Sequence, residues 1–242
     1  MEGSRRQFLG SVAALSATGA FLPSALGAET PEAGPEPVSV DWDFSWRERV
    51  RGPFRAVFDS PVVNYGVGLW RAADWKKTVQ EVYNAKPRDV SSVLVIRHSA
   101  IPMIMNHAYW ERHDIAEELK KAESSGNGSS RNESSDKESS GGESSAPPAP
   151  KHNPYMSREG DETKGREPTI DGFLASGGIV LACNYAFGFM VSKEARKAGI
   201  KQDEARAIVL QQVIPGVIIQ PSGFFAVLEA QRSGCHFFPA AG

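Results

Sequence analysis

The chain predicts an α/β layer fold built on a mostly parallel sheet of about five strands. Short β-branched and apolar runs alternate with segments of helical period, in the order β-α-β-α. The best-defined strand, Val93-Leu94-Val95-Ile96, is apolar without alternation, as suits a parallel strand covered on both faces. Turn residues such as Asp59-Ser60-Pro61, Pro215-Gly216 and Ser233-Gly234 separate the segments.

Taken in order, Phe54 to Phe58 reads as the first strand and Gly66 to Tyr83 as a helix. Its apolar stripe is Leu69, Trp70, Ala73, Val79 and Val82. Val90 to Arg97 is the second strand. Helical signal resumes from Met103 to Trp110 and from Ile115 to Lys121. A short helix starts at Thr169, whose hydroxyl suits a cap. Ile179 to Cys183 is the third strand. Helices follow over Ala186–Ala198, stopped by Gly199, and Asp203–Val213, stopped by Pro215-Gly216. Val217 to Gln220 is the fourth strand, Ser222 to Arg232 a helix, and Cys235 to Phe238 a short last strand.

Residues 122–167 interrupt this pattern with Ser, Gly, Glu and Lys around Ala146-Pro147-Pro148-Ala149-Pro150. Such a composition buries too little apolar surface to offset chain entropy. It reads as a disordered insertion within one domain spanning 53–238, since neither half alone holds enough strands for a sheet with its own core. No internal repeat is found.

The amino terminus reads as an export signal. Ser4-Arg5-Arg6-Gln7-Phe8-Leu9 is a twin-arginine pattern, followed by a soft apolar run from Phe8 to Leu22 and the small-x-small site Ala25-Leu26-Gly27. The run is about 15 residues, short of the ~20 that span a bilayer. Residues 1–27 are thus expected to direct a prokaryotic chain, already folded, to a periplasmic or otherwise extracytoplasmic location, with no membrane attachment after cleavage. Residues 28–52 form an extension: a Pro/Glu-rich lead, then Asp41-Trp42-Asp43-Phe44-Ser45-Trp46, whose aromatics are expected to dock on the domain or a neighbouring subunit.

Composition excludes several classes. A net charge of −2 offers no basic excess for phosphates, so nucleic acid is not an expected partner. Hydrophobic content of 40% permits a sizeable core. No glycine-rich phosphate loop, Walker pattern or G-x-S-x-G elbow occurs, and no tight pair of metal ligands, so neither cofactor nor metal is expected.

In open α/β sheets ligands gather beyond the carboxyl ends of the strands. That rule selects Asp59, Ser60 and Asn64 after the first strand, and Arg97, His98 and Ser99 after the second. It selects Cys183 and Asn184 after the third, and Pro221 and Ser222 after the fourth. Cys183 meets a helix start, where amides and dipole favour a thiolate; its flanks Leu181, Ala182 and Tyr185 equally suit a buried filler. His98 suits acid–base or electrostatic support of that thiolate, or a backbone bond at a strand end. Arg97 and His98 together suit an anion. Asp59 and Asn64 suit either a site or the cap of the first helix, and Ser222 is explained by helix capping. Cys235 starts the last strand, so a parallel sheet sets it at the opposite edge from Cys183 and no bond between them is expected.

The closing third carries a family pattern. Gly177-Gly178-Ile179-Val180-Leu181-Ala182-Cys183-Asn184 precedes Pro215-Gly216-Val217-Ile218-Ile219-Gln220-Pro221-Ser222-Gly223-Phe224, then Leu228-Glu229-Ala230-Gln231-Arg232-Ser233-Gly234-Cys235-His236-Phe237. This resembles the DsrE/DsrF-like family over roughly residues 53–121 and 168–238. The resemblance implies a three-layer α/β/α domain that assembles as homo-oligomers, often trimers or hexamers. In the family's sulfur-relay members a cysteine carries persulfide between partner proteins, and Cys183 matches its position. The implied function is a thiol-based sulfur carrier or sulfurtransferase-like protein supplied by a sulfur-donor protein. The alternative is a non-enzymatic homo-oligomer that binds a small ligand or serves assembly. The export signal, the insertion and the aromatic arm depart from the relay members, which work in the cytoplasm.

Overall fold

The computed structural model describes residues 42–124, 151–158 and 168–240. The expected signal peptide with Arg5 and Arg6, most of the Pro/Glu-rich lead, and residues 125–150 and 159–167 of the insertion lie outside the described residues.

Five strands form one sheet: β1 (Phe54–Ser60), β2 (Val90–Ile96), β3 (Ile179–Cys183), β4 (Ile218–Gln220) and β5 (His236–Pro239). Their order is β4-β3-β2-β1-β5, and every pairing is parallel. The helices between them are α1 (Val67–Tyr83), α2 (His107–His113), α3 (Ile115–Ser124), α4 (Ile170–Ala175), α5 (Asn184–Ala198), α6 (Gln202–Leu210) and α7 (Gly223–Arg232).

Side chains alternate across the sheet by residue parity. Ala56, Phe58, Leu94, Ile96, Val180 and Ala182 face a core closed by α1 to α6. Val57, Val93, Val95, Ile179 and Leu181 face the other layer, closed by Ala226 and Ala230 of α7 and by Trp46. The fold is therefore a three-layer α/β/α arrangement, with helices unequally shared between the faces. Crossing from β4 to β5, α7 passes over β3, β2 and β1 and delivers the last strand beside β1.

Trp46 lies on a 3-10 turn, Ser45–Arg49, and is fully buried, while Phe44 meets Phe225 at 5.8 Å between ring centroids. The aromatic arm thus docks on its own domain. Side-chain caps start three helices. Asn106 accepts from the Tyr109 amide at 2.9 Å, Thr169 from Gly172 at 3.2 Å and Ser222 from Phe225 at 3.1 Å.

Three local expectations change. The helical signal at Met103–Trp110 resolves into a 3-10 segment, His98–Ile104, and the separate helix α2. Pro102 and the Asn106 cap divide them, because Pro offers no amide to continue a helix and Asn106 starts a new one. The buried stripe of α1 runs through Leu69, Ala72, Lys76 and Val79, whereas Trp70 and Val82 are exposed. Residues 151–158, inside the stretch read as a disordered insertion, pack on the domain. Asn153 is fully buried and donates from Nδ2 to the carbonyls of Met103 and Met105, at 2.8 and 2.6 Å. One amide side chain satisfying two buried carbonyls anchors a segment whose apolar content alone would not.

Candidate functional site

Parallel pairing brings the carboxyl ends of β1 to β4 to one edge. Ser60 aligns with Ile96, Ile96 with Ala182, and Cys183 with Gln220. After β3 the chain turns to α5 on one face; after β4 it turns to α7 on the other. A crevice between diverging connections is where open α/β sheets place ligands.

Asp59 and Arg97 anchor this edge. Arg97 Nε donates to Asp59 Oδ1 and Nη2 to Oδ2, both at 2.7 Å, with each side chain about seven-eighths buried. The hydrogen bonds that Arg97 donates to Asp59 hold the guanidinium pKa above its ordinary value, against the opposing effect of burial. The guanidinium also lies over the Phe224 ring, 4.6 Å from its centroid. Gly223 fits here because a Cβ would meet Arg97 Cδ at 2.6 Å and Cβ at 2.7 Å. Arg97 is thus clamped by a carboxylate, an aromatic face and a glycine. Its charge is already matched by Asp59.

Cys183 is a free thiol, 4% exposed, at the residue that precedes α5, and no side chain caps that helix. It stands one residue past the Ala182–Ile96 pair, level with Arg97. Its side chain packs in the core layer closed by α1 to α6. Among the described residues no hydrogen bond joins His98 to Cys183; the exposed His98 ring meets the Phe224 ring edge-on at 5.9 Å instead.

Other expected site residues turn elsewhere. Asn184 Oδ1 accepts from Arg206 Nη2 at 2.7 Å, which ties α5 to α6. The Ser222 hydroxyl caps α7. Neither Asp59 nor Asn64 caps α1, since Gly66 precedes that helix with φ +76°. Asn64, Tyr65 and His98 all follow β1 or β2 and hold φ of 34°, 52° and 49°. Left-handed backbone is unfavourable for such side chains and gathers where a surrounding structure overrides it.

Cys235 is buried at the other end of the sheet. It precedes His236, the partner of Ala56, so it lies level with Arg55, six residues along the strand from the level of Cys183. That is about 20 Å at ~3.3 Å per residue, beyond the ~7 Å limit for a disulfide. Burial pushes the Cys235 thiol up to about 11.

Sequence reasoning missed Gly223 and Phe224, although Pro221-Ser222-Gly223-Phe224 marks the strand-to-helix corner they occupy. It also missed the apolar side chains exposed around this edge: Tyr185 and Phe189 on α5, and Phe224 and Leu228 on α7. Each pair is spaced i,i+4, which puts it on one helix face. The described residues hold no cluster of three metal-ligating side chains, and no helix among them is long and apolar enough to cross a membrane.

No known family's sequence pattern matches the chain, and no curated protein matches it.

Proposed function

We propose that the chain is an exported DsrE-like protein that carries sulfane sulfur on one thiol, Cys183, outside the cytoplasm. The observation that carries this reading is the position of Cys183. It lies at the end of β3 and the start of a 15-residue helix. Amides at a helix start favour a bound anion, the general feature of reactive-cysteine sites. The resemblance supports the same position, since Cys183 falls in its segment 177–184.

The chemistry needs no outside oxidant. The Cys183 thiolate attacks the outer sulfur of a persulfide donor, R–S–SH. A sulfur–sulfur bond forms to Cys183 as the donor's own breaks, and the donor leaves as R–S⁻. Passing the sulfur to an acceptor thiolate repeats the exchange in the opposite sense. Export removes the chain from cytoplasmic reductants, and the distance to Cys235 leaves Cys183 without an internal partner to oxidise with. Tyr185, Phe189, Phe224 and Leu228 offer apolar surface for a donor protein or for other copies in a trimer or hexamer.

The near-complete burial of Cys183 favours a second reading, a non-enzymatic homo-oligomer that binds a small ligand. Intact-mass measurement after exposure to a persulfide donor separates the two. The carrier gains about 32 Da, one sulfur atom, and Cys183→Ser gains nothing. A protein that stays unmodified with every donor overturns the carrier reading. Replacing Arg5 and Arg6 by Lys should retain the chain in the cytoplasm if the export reading is right.

A further inference from the structure

A cleft of about 700 Å3 opens away from Cys183, between α1, α4 and residues 151–158, a volume typical of small-molecule sites. Lys76 reaches it from the buried stripe of α1. The residue is 5% exposed, and its ammonium donates to the Ser176 carbonyl and, at 3.3 Å, to the Ser176 hydroxyl. Both acceptors are neutral. Among the described residues no carboxylate pairs with Lys76, and none lines the cleft.

A buried ammonium without an anion is costly, and here burial lowers the Lys76 pKa from its ordinary value. Lys77 also lines the cleft, but it pairs with Glu81 at 3.8 Å. Asp171, the carboxylate of the adjoining α4, is already engaged: it accepts from the Ser157 amide at 3.0 Å. The rest of the wall is largely apolar, with Ala73, Met156 and Phe173. One buried cation beside an apolar wall suits a monoanion with an apolar body. A phosphate would call for several converging donors.

We propose that this cleft binds a small organic monocarboxylate, its carboxylate paired with Lys76 and its body packed on Ala73, Met156 and Phe173. The site is independent of Cys183 and of the sulfur-carrier reading.

Calorimetry with benzoate as probe tests it on the folded chain, with benzyl alcohol as the neutral control. Benzoate should bind at least about tenfold more tightly than the alcohol, a difference of ~1.4 kcal/mol. Lys76→Met should abolish that preference. Ala73→Phe, which fills the cleft and keeps the charge, should block both compounds and decides the matter if Lys76→Met does not fold. Equal binding of the alcohol, unchanged benzoate affinity in either folded variant, or no benzoate binding into the millimolar range overturns the proposal. If benzoate binds only after Glu159, Asp161, Glu162 and Glu167 are changed to Gln, the cleft serves the chain's own acidic segment and the proposal also falls.

Discussion

Asp59 grips Arg97 with both carboxylate oxygens, at 2.7 Å each, across the carboxyl ends of β1 and β2. Asp59 lies in register with Val95, so the arginine two residues further along folds back to meet it. The pair fixes a cation at the carboxyl end of the sheet and matches its charge with a carboxylate.

Breaking that pair leaves a buried cation alone. Asp59→Ala should cost roughly 3 kcal/mol of stability, read as a lower denaturant midpoint at unchanged slope. An unchanged midpoint would show that the pair contributes nothing net to the fold.

Gly223→Ala tests the clamp from the other side. In a free helix this change stabilises by about 1 kcal/mol. Here the new Cβ would strike the Arg97 stem at 2.6 Å, so overpacking should win and destabilise the fold by ~1–3 kcal/mol. A thermal melt gives the sign directly.

Acid should weaken the fold in two stages through Glu194. His113 Nε2 lies 2.7 Å from Glu194 Oε2, and Arg112 donates to both carboxylate oxygens. Burial holds the His113 pKa below its ordinary 6.5, against the pull of Glu194, so the unfolded chain takes up the proton first. Stability is therefore lost as pH falls below about 6.5. The Arg112 hydrogen bonds hold Glu194 below its ordinary 4.5, so a second loss follows as pH falls below that value. Melting temperature should drop in both windows. His113→Phe should flatten only the upper one, and an unchanged profile in that variant would sink the assignment.

Oxidation should create no internal disulfide. Intact mass after treatment with a mild oxidant should show no loss of two hydrogens within one chain, because Cys183 and Cys235 lie at opposite ends of the sheet. At neutral pH Cys235, with its thiol pushed up to about 11, should react far more slowly with an alkylating reagent than its reference value implies.

Much of the fold was legible because its signals are local. Val93-Leu94-Val95-Ile96 is apolar on both faces, and β2 is the strand covered on both faces. Thr169 and Ser222 cap helices because a hydroxyl just before a helix reaches the third amide wherever the helix packs. The site was less legible. Asn184 looked like a site residue by its place after β3, but Arg206, twenty-two residues on, draws its side chain to α6. Lys76 lies outside the apolar stripe read from the sequence, because only packing against α4 reveals that its row is the buried one. Asn153 was hidden in a low-complexity stretch, since no local pattern tells which carbonyls it will satisfy.

By itself, then, the sequence determined the alternation of strand and helix and the set of residues that a parallel sheet carries to one edge. Both follow from backbone periodicity and strand direction, which act within a few residues. The tertiary structure alone decided the order β4-β3-β2-β1-β5, the match of Arg97 to Asp59 and the burial of Lys76. These depend on which distant groups exclude water from one another, and that is settled only when the layers close.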